Sequence, residues 1–415
     1  MTHRVRGGPF GDTSTDRLMA EAARQLRLGG FSRRSMLRAT GATGVALGGS
    51  SLLAACGTEG AQIESGECTS TDLSDEEKSI VFSNWIGYVD PVKRADTSTL
   101  EKFQQETGIT VEYQNGDVND NETFFAKVSP QLQACRGTGR DVFVVTDYMA
   151  ARMIELGWIQ KLNHDNMPNV DANLIDFLKA PDWDSKREYS VPWQSGMTGI
   201  CYNSELTDPV SSFEELLTRP DLKGKVELLT EMRDTMLFLL LMEGSDPESF
   251  SSDEFAAAAE RLQGFVDSGQ IRRFSGNDYV DDMKSGDIVA CEAWSGDVIN
   301  LLGGGKYKWI PPEEGFAIWT DNMLVPNKAE HKTNVETMMN FYYDPVNAAK
   351  LSAWNYYFCP VAGAQEEIAQ FDKSAAESEF IFVDDQTLES GYMFMSLSDQ
   401  EERDYQRQFN EVIGG

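Results

Sequence analysis

Short β-branched or aromatic runs that alternate with helix-period segments constrain this chain more than any other feature. Residues 79–85 form an apolar strand, and 98–108 a helix that Gly108 can close as its C-cap. The next strand is at 109–113, a helix at 124–135, and a fully buried strand at 141–146 (Asp-Val-Phe-Val-Val-Thr), with a further helix at 150–156. Strands and helices at this spacing make βαβ units and a mainly parallel sheet. A second series begins after Val191-Pro192-Trp193, with strands at 199–203, 225–229, 288–293, 316–320 and 323–326. Its helices fall at 235–242, 253–266, 334–343 and 345–354, and a charged helix occupies 399–412. Neither an internal repeat nor a long linker separates the halves. The expectation is an α/β chain in two lobes joined by extended crossings.

Upstream of the first strand, Ser32-Arg33-Arg34-Ser35-Met36-Leu37-Arg38 leads through a small-residue apolar run to Leu53-Ala54-Ala55-Cys56. A twin arginine before a weakly apolar segment is an export address. Leu-Ala-Ala-Cys resembles the lipobox of bacterial lipoproteins, in which the cysteine is acylated and becomes the first mature residue. The run 39–55 holds four glycines and is short for a transmembrane helix. Residues 1–55 are therefore expected to be a twin-arginine lipoprotein signal and Cys56 the lipidation site. Residues 56–78, polar and acidic without periodicity, are expected to be a flexible tether. This places the protein outside the cell, lipid-anchored to the outer face of the cytoplasmic membrane.

The chain carries 36 Lys and Arg against 67 Asp and Glu, for a net charge of −31. Eight arginines and three acidic residues lie in 1–55, so the rest has 28 basic against 64 acidic side chains, a net −36. A nucleic-acid partner is excluded, because a phosphate backbone needs a basic face. A cationic solute would be attracted, although the same charge also serves solubility. Past Cys56 stand Cys68, Cys135, Cys201, Cys291 and Cys359, with no CxxC pair and only three histidines in the chain. A Cys/His zinc site is not expected. Cys201, Cys291 and Cys359 sit in apolar contexts and read as core fillers, whereas Cys68 and Cys135, in polar stretches, could pair outside the cell.

Motifs of chemistry are sparse. Gly303-Gly304-Gly305-Lys306 is followed by Tyr, with Asn300 where a phosphate loop needs its first glycine. GxSxG, HExxH and GxGxxG are absent, and no cofactor is implied. An extracytoplasmic carboxylate hydrolase such as a glycosidase is the alternative from a different class. Aromatics beside carboxylates or amides recur at strand ends: Asn84-Trp85-Ile86-Gly87-Tyr88, Thr146-Asp147-Tyr148, Glu231-Met232-Arg233-Asp234, Ala293-Trp294-Ser295-Gly296-Asp297, Trp319-Thr320-Asp321-Asn322 and Tyr356-Tyr357-Phe358. Ligands of α/β sheets bind outside the carboxyl ends of strands. Collected in one cleft, these residues would make a box for an organic cation, with rings covering methylenes and carboxylates taking N–H bonds.

The ordered set Phe82-Ser83-Asn84-Trp85-Ile86-Gly87-Tyr88, Val191 through Ile200, Gly286 through Ala290 before Trp294-Ser295-Gly296-Asp297, Glu314-Gly315 before Trp319 through Met323, and Asn340-Phe341 with Asp344-Pro345 resembles the bacterial spermidine/putrescine-binding proteins of polyamine ABC transporters. The resemblance implies a two-lobed, periplasmic-binding-protein-like fold of type II with the ligand cleft between lobes. Residues 79–194 plus 322–357 would form the first lobe and 195–321 plus 358–415 the second. It implies cleft aromatics at Trp85, Tyr88, Tyr148, Trp294, Trp319 and Tyr357. Ammonium-binding carboxylates would be Asp321 and, from the second lobe, Glu231, Asp234 and Asp297; the segment around Glu231 aligns only across a one-residue gap. The tail after residue 365 diverges. The implied function is a non-enzymatic, monomeric receptor that passes a polyamine to ABC permease subunits. Another organic cation or small solute is the alternative within that architecture. Affinity is expected to fall as the carboxylates protonate below about pH 4.

Overall fold

Nine strands lie in one mixed sheet among the residues that the computed structural model describes, which are 68, 70–91 and 98–414. They are β1 (Ser79–Asn84), β2 (Thr110–Asn115), β3 (Val142–Thr146), β4 (Ser190–Asn203), β5 (Val226–Leu229), β6 (Ile271–Ser275), β7 (Ala290–Trp294), β8 (Tyr307–Ile310) and β9 (Ala317–Leu324). The order is β2-β1-β3-β9-β4-β7-β5-β6, with β8 also paired to β4. The twin arginine, the apolar run, Cys56 and the tether up to residue 67 lie outside the described residues.

The sheet is mixed rather than mainly parallel. Its two flanks are parallel, β2-β1-β3 on one side and β7-β5-β6 on the other, but β4 and β9 between them run antiparallel to their neighbours. These two strands are the extended crossings. For these two the sequence suggests a strand only at 199–203, and separate strands at 316–320 and 323–326; the first is the end of the longer strand Ser190–Asn203, and the other two fall on the one strand Ala317–Leu324. The polar residues that interrupt the apolar pattern find partners across the ladder. Ser195 faces Thr320 with their hydroxyls 2.8 Å apart, so the buried strand continues through them. The register slips between Pro192 and Gln194, where proline has no N–H to give the ladder.

Two large apolar clusters fill the fold, one centred on the first flank but reaching the second through Leu229, Cys291 and Trp294, the other on the second flank. On the first, Trp193 lies 5.5 Å from Phe82 and 4.7 Å from Tyr342, edge-on to both rings. On the second, Phe213 stacks on Phe238 at 3.8 Å, and Phe255 on Tyr405 at 4.2 Å. Tyr405 belongs to the helix Asp399–Ile413, so the charged tail has an apolar face buried in this core. Buried residues of 359–381, among them Cys359, Val361 and Ile368, pack in the cluster that contains Trp193 and Phe82. Capping boxes at Ser98/Glu101, Ser251/Glu254 and Ser398/Glu401 start three of the helices. Gly108 ends the first of these at φ 72°, as its position suggested.

Cys68 and Cys135 form a disulfide, with Cα atoms 5.6 Å apart. Cys201, Cys291 and Cys359 are buried and unpaired. Residues 70–78, expected within the flexible tether, lie against the first flank. Ser70 Oγ donates to Ala329 O and Leu73 N–H to Glu330 O, both at 2.6 Å, and Asp72 accepts from Thr333 N–H at 3.0 Å. Among the described residues no helix is long and apolar enough to cross a membrane.

Candidate functional site

A cavity of about 580 Å³ opens where strands hand over to helices around the middle of the sheet. Trp85 follows β1 and Tyr88 lies just beyond it. Asp147 and Tyr148 begin the helix Asp147–Glu155 directly after β3. Glu231 is the N-cap and Asp234 a first-turn residue of the helix Met232–Met242. Trp294 ends β7 and caps the helix Ser295–Asn300. Trp319 and Asp321 alternate on β9, and Tyr357 follows the helix Pro345–Asn355. Strand-to-helix turns thus deliver both acids and rings to one place.

The acids are buried and receive neutral donors. Asp321 accepts from Tyr88 Oη and Thr146 Oγ1, each at 2.8 Å. Burial pushes its carboxyl up to about 7, with the Asp147 and Asp234 charges adding and the two hydroxyls opposing. Glu231 accepts from Asn121 N–H at 2.7 Å, Asn121 Nδ2 at 3.0 Å and Tyr148 Oη at 2.8 Å. Burial, then the Asp120 and Asp234 charges, hold it well above the usual carboxylate range. Asp234 accepts from Thr198 Oγ1, which in turn accepts from Trp319 Nε1 at 2.9 Å. Asp234 and Asp147 are both raised to about 6 by burial. Behind Asp234, Glu292 is raised to about 8, again by burial first and by the Asp234 charge second. Three cations enter the lining, Arg152, Arg187 and Arg233. Arg233 stacks 3.6 Å from the Tyr148 ring centre and is held by both oxygens of Glu402, at 3.1 and 2.5 Å. Arg152 lies 3.2 Å from Glu122, and Arg187 donates to Leu178 O, Ser190 Oγ and Asn322 Oδ1.

Rings close the walls. Trp85 meets Trp294 edge-on at 5.6 Å, Tyr88 lies 4.9 Å from Tyr357, and Tyr357 is 5.6 Å from Trp319. Two glycines make room for them. A Cβ on Gly196 would sit 2.4 Å from Trp319 Cζ2, and one on Gly296 2.5 Å from Tyr357 Cε2. Trp85 Nε1 is buried with no protein partner.

All the expected site residues except Asp297 line this cavity: Trp85, Tyr88, Tyr148, Glu231, Asp234, Trp294, Trp319, Asp321 and Tyr357. Asp297 is buried one layer back, where it accepts from Tyr357 Oη at 2.7 Å and from Tyr279 Oη and Asn277 Nδ2 at 2.8 Å. It holds a wall ring instead of facing the space. Asn277 itself lines the cavity and leaves its Oδ1 without a protein partner. Sequence reasoning missed Asn277, Asn121 and the tail residues 393–397; Asn121 and Asn277 lie in no aromatic–carboxylate cluster that would single them out. Among the described residues no group of His, Cys, Asp and Glu is placed to hold a metal ion.

Residues 98–377 match a family model described as bacterial extracellular solute-binding protein. The chain is 26% identical over 321 residues to the spermidine/putrescine-binding periplasmic protein of Escherichia coli K12, covering 77% of this chain and 87% of the relative. It is 27% identical over 307 residues to the putrescine-binding periplasmic protein PotF of the same strain, covering 69% and 78%. A solved chain from Listeria monocytogenes, named for a spermidine/putrescine ABC transporter, superposes with a TM-score of 0.71 at 25% identity, over 81% of this chain and 99% of that one.

Proposed function

This chain belongs to the bacterial extracellular solute-binding proteins, and on that premise we propose that it is the receptor of an ABC importer that binds a polyamine such as putrescine or spermidine and hands it to the permease. The observation that carries the reading is the set Glu231, Asp234 and Asp321: buried acids with hydroxyl and amide donors in a cavity walled by tryptophan and tyrosine. An ammonium group entering there supplies the missing counter-charge, and the rings cover the methylenes between charges. The site residues act by binding alone; the ligand leaves unchanged.

Closure brings two lobes together, with β4 and β9 as the hinge; residues 79–194 plus 322–357 form one lobe and most of the remainder the other. The lobes touch through Asn121 and Tyr148 on Glu231, and through Gly87 O accepting from Asn300 Nδ2 at 3.0 Å. Export by the twin-arginine route and acylation of Cys56 would tether this receptor beside its permease. Cys56→Ser should then release it from membranes, and firm retention after a high-salt wash would refute that anchor.

The test is titration calorimetry of the purified protein with putrescine, spermidine, a neutral disaccharide and glutamate at pH 8. Polyamines should bind at micromolar Kd or better and the others not detectably. A sugar that binds where no polyamine does would sink the proposal.

A further inference from the structure

The cavity is larger than a simple polyamine needs, and its surplus is of one chemical kind. The acids and tryptophans occupy one part. Beyond them the lining turns apolar: Phe177, Pro181 and Trp183 come from the first lobe, and Met393, Phe394 and Met395 from the tail. Phe177 is 48% and Met393 52% exposed, two of the few large apolar side chains that this protein leaves open to water. They stand at the mouth of one cavity although more than two hundred residues separate them in sequence. Apolar groups exposed together in this way mark a binding surface. Methionine is a side chain that adapts to a guest of irregular shape.

Volume points the same way. At about 30 Å³ per water-sized group, a diamine of six heavy atoms fills roughly 180 Å³ and a triamine of ten roughly 300 Å³. Either leaves a large part of the 580 Å³ empty. The surplus is not the gape of an open clamp, because Asn121 and Tyr148 already bond Glu231 across the cleft. Of the lining cations, Arg233 is neutralised by Glu402 and Arg152 by Glu122, while Arg187 is buried and directs its N–H groups to Leu178 O, Ser190 Oγ and Asn322 Oδ1.

We infer that the cavity is built for an amine carrying an apolar substituent: ammonium groups seat among Asp321, Asp234 and Glu231, and an aryl-sized group lies between Phe177 and the Met393–Met395 strand of chain. The inference rests on the amine reading above and deepens it. An apolar group transferred into this vestibule leaves water and covers exposed methionine and phenylalanine, whereas an unsubstituted diamine leaves both wet.

Calorimetry on the full protein with 1,4-diaminobutane and N-benzyl-1,4-diaminobutane tests it. The benzylated amine should bind at least tenfold more tightly, and in the double variant Phe177→Ser/Met393→Ser the ratio of the two affinities should fall to about one. Both positions are exposed, so folding is not at stake. Equal or weaker binding of the benzylated amine overturns the inference while leaving the polyamine reading intact. An unchanged ratio in the double variant also overturns it. Binding of neither amine removes both readings.

Discussion

Replacing Asp321 by asparagine should move ligand affinity and the stability of the empty protein in opposite directions. Burial raises the Asp321 carboxyl from 3.8 to about 7. A shift of roughly three units at about 1.4 kcal/mol each means that ionised Asp321 costs the empty fold on the order of 4 kcal/mol. The sign follows from linkage. A carboxyl raised in the folded state imposes nothing below the unfolded value near pH 4. Its penalty grows as pH rises towards 7 and is fully present above that. Asparagine keeps the shape and one acceptor, and the hydroxyls of Tyr88 and Thr146 can turn to suit it. The empty Asp321→Asn protein should therefore equal the wild type near pH 4 and exceed it by up to about 4 kcal/mol at pH 8. For putrescine at pH 8 the variant loses a charge-assisted partner, at least about 2 kcal/mol or roughly 30-fold in Kd. Urea unfolding at pH 4, 6 and 8 gives the first quantity and calorimetry the second. A variant less stable than wild type at pH 8 would refute the burial argument, because it would mean that the two hydroxyls hold the carboxylate comfortably ionised.

The raised acids also replace the sequence-based threshold near pH 4: below about pH 7 putrescine must expel protons from Asp321, and then from Asp234 and Asp147, so affinity should already fall between pH 7 and 6. Calorimetry at pH 6 in buffers of different ionisation enthalpy should register proton release, and none would contradict the coupling. Trp294→Ala removes the ring that meets Trp85 and should weaken binding by about 2 kcal/mol, roughly 30-fold. Wild-type affinity in the folded variant would make Trp294 a core residue only. Gly196→Ala drives a methyl into Trp319 and should cost about 1–3 kcal/mol, roughly 5- to 150-fold in Kd if the ring swings into the cavity; unaltered binding would show that the ring has slack. Cys68→Ser opens a loop spanning 67 residues, worth about 4 kcal/mol by loop-closure arithmetic, and an unshifted urea midpoint would mean that the strap's hydrogen bonds suffice.

Some helices were legible from local signals, as Gly108 marks the end of the helix Thr99–Thr107, whereas the short helices Phe213–Thr218, Tyr279–Ser285 and Ser295–Asn300 were not foreseen. The aromatic–carboxylate clusters were legible because strand ends in α/β sheets are where ligands go, a rule that needs no knowledge of which strands are neighbours. The continuity of β4 and β9 was not, since Ser195 and Thr320 look like breaks until they face one another across the ladder. Asp297 shares its motif with Trp294, and only the three-dimensional position of Tyr357, Tyr279 and Asn277 turns its carboxylate away from the cavity. The tail was the hardest. Its helix reads as charged surface, yet Tyr405 and Phe409 are buried, and Glu402 reaches 169 residues back to Arg233.

The Cys68–Cys135 bridge determines how a tug on the chain ahead of it would be carried. Without the bridge, tension would travel down residues 70–78 and into β1, the strand that ends beside Trp85. It would then compete directly with the Trp85–Trp294 contact. With the bridge, the load path diverts at Cys68 into Cys135, just past the helix Asn121–Gln133, and the strap beyond stays slack. A pull applied ahead of Cys68 would therefore load the covalent bridge to Cys135 and not the contact between Trp85 and Trp294.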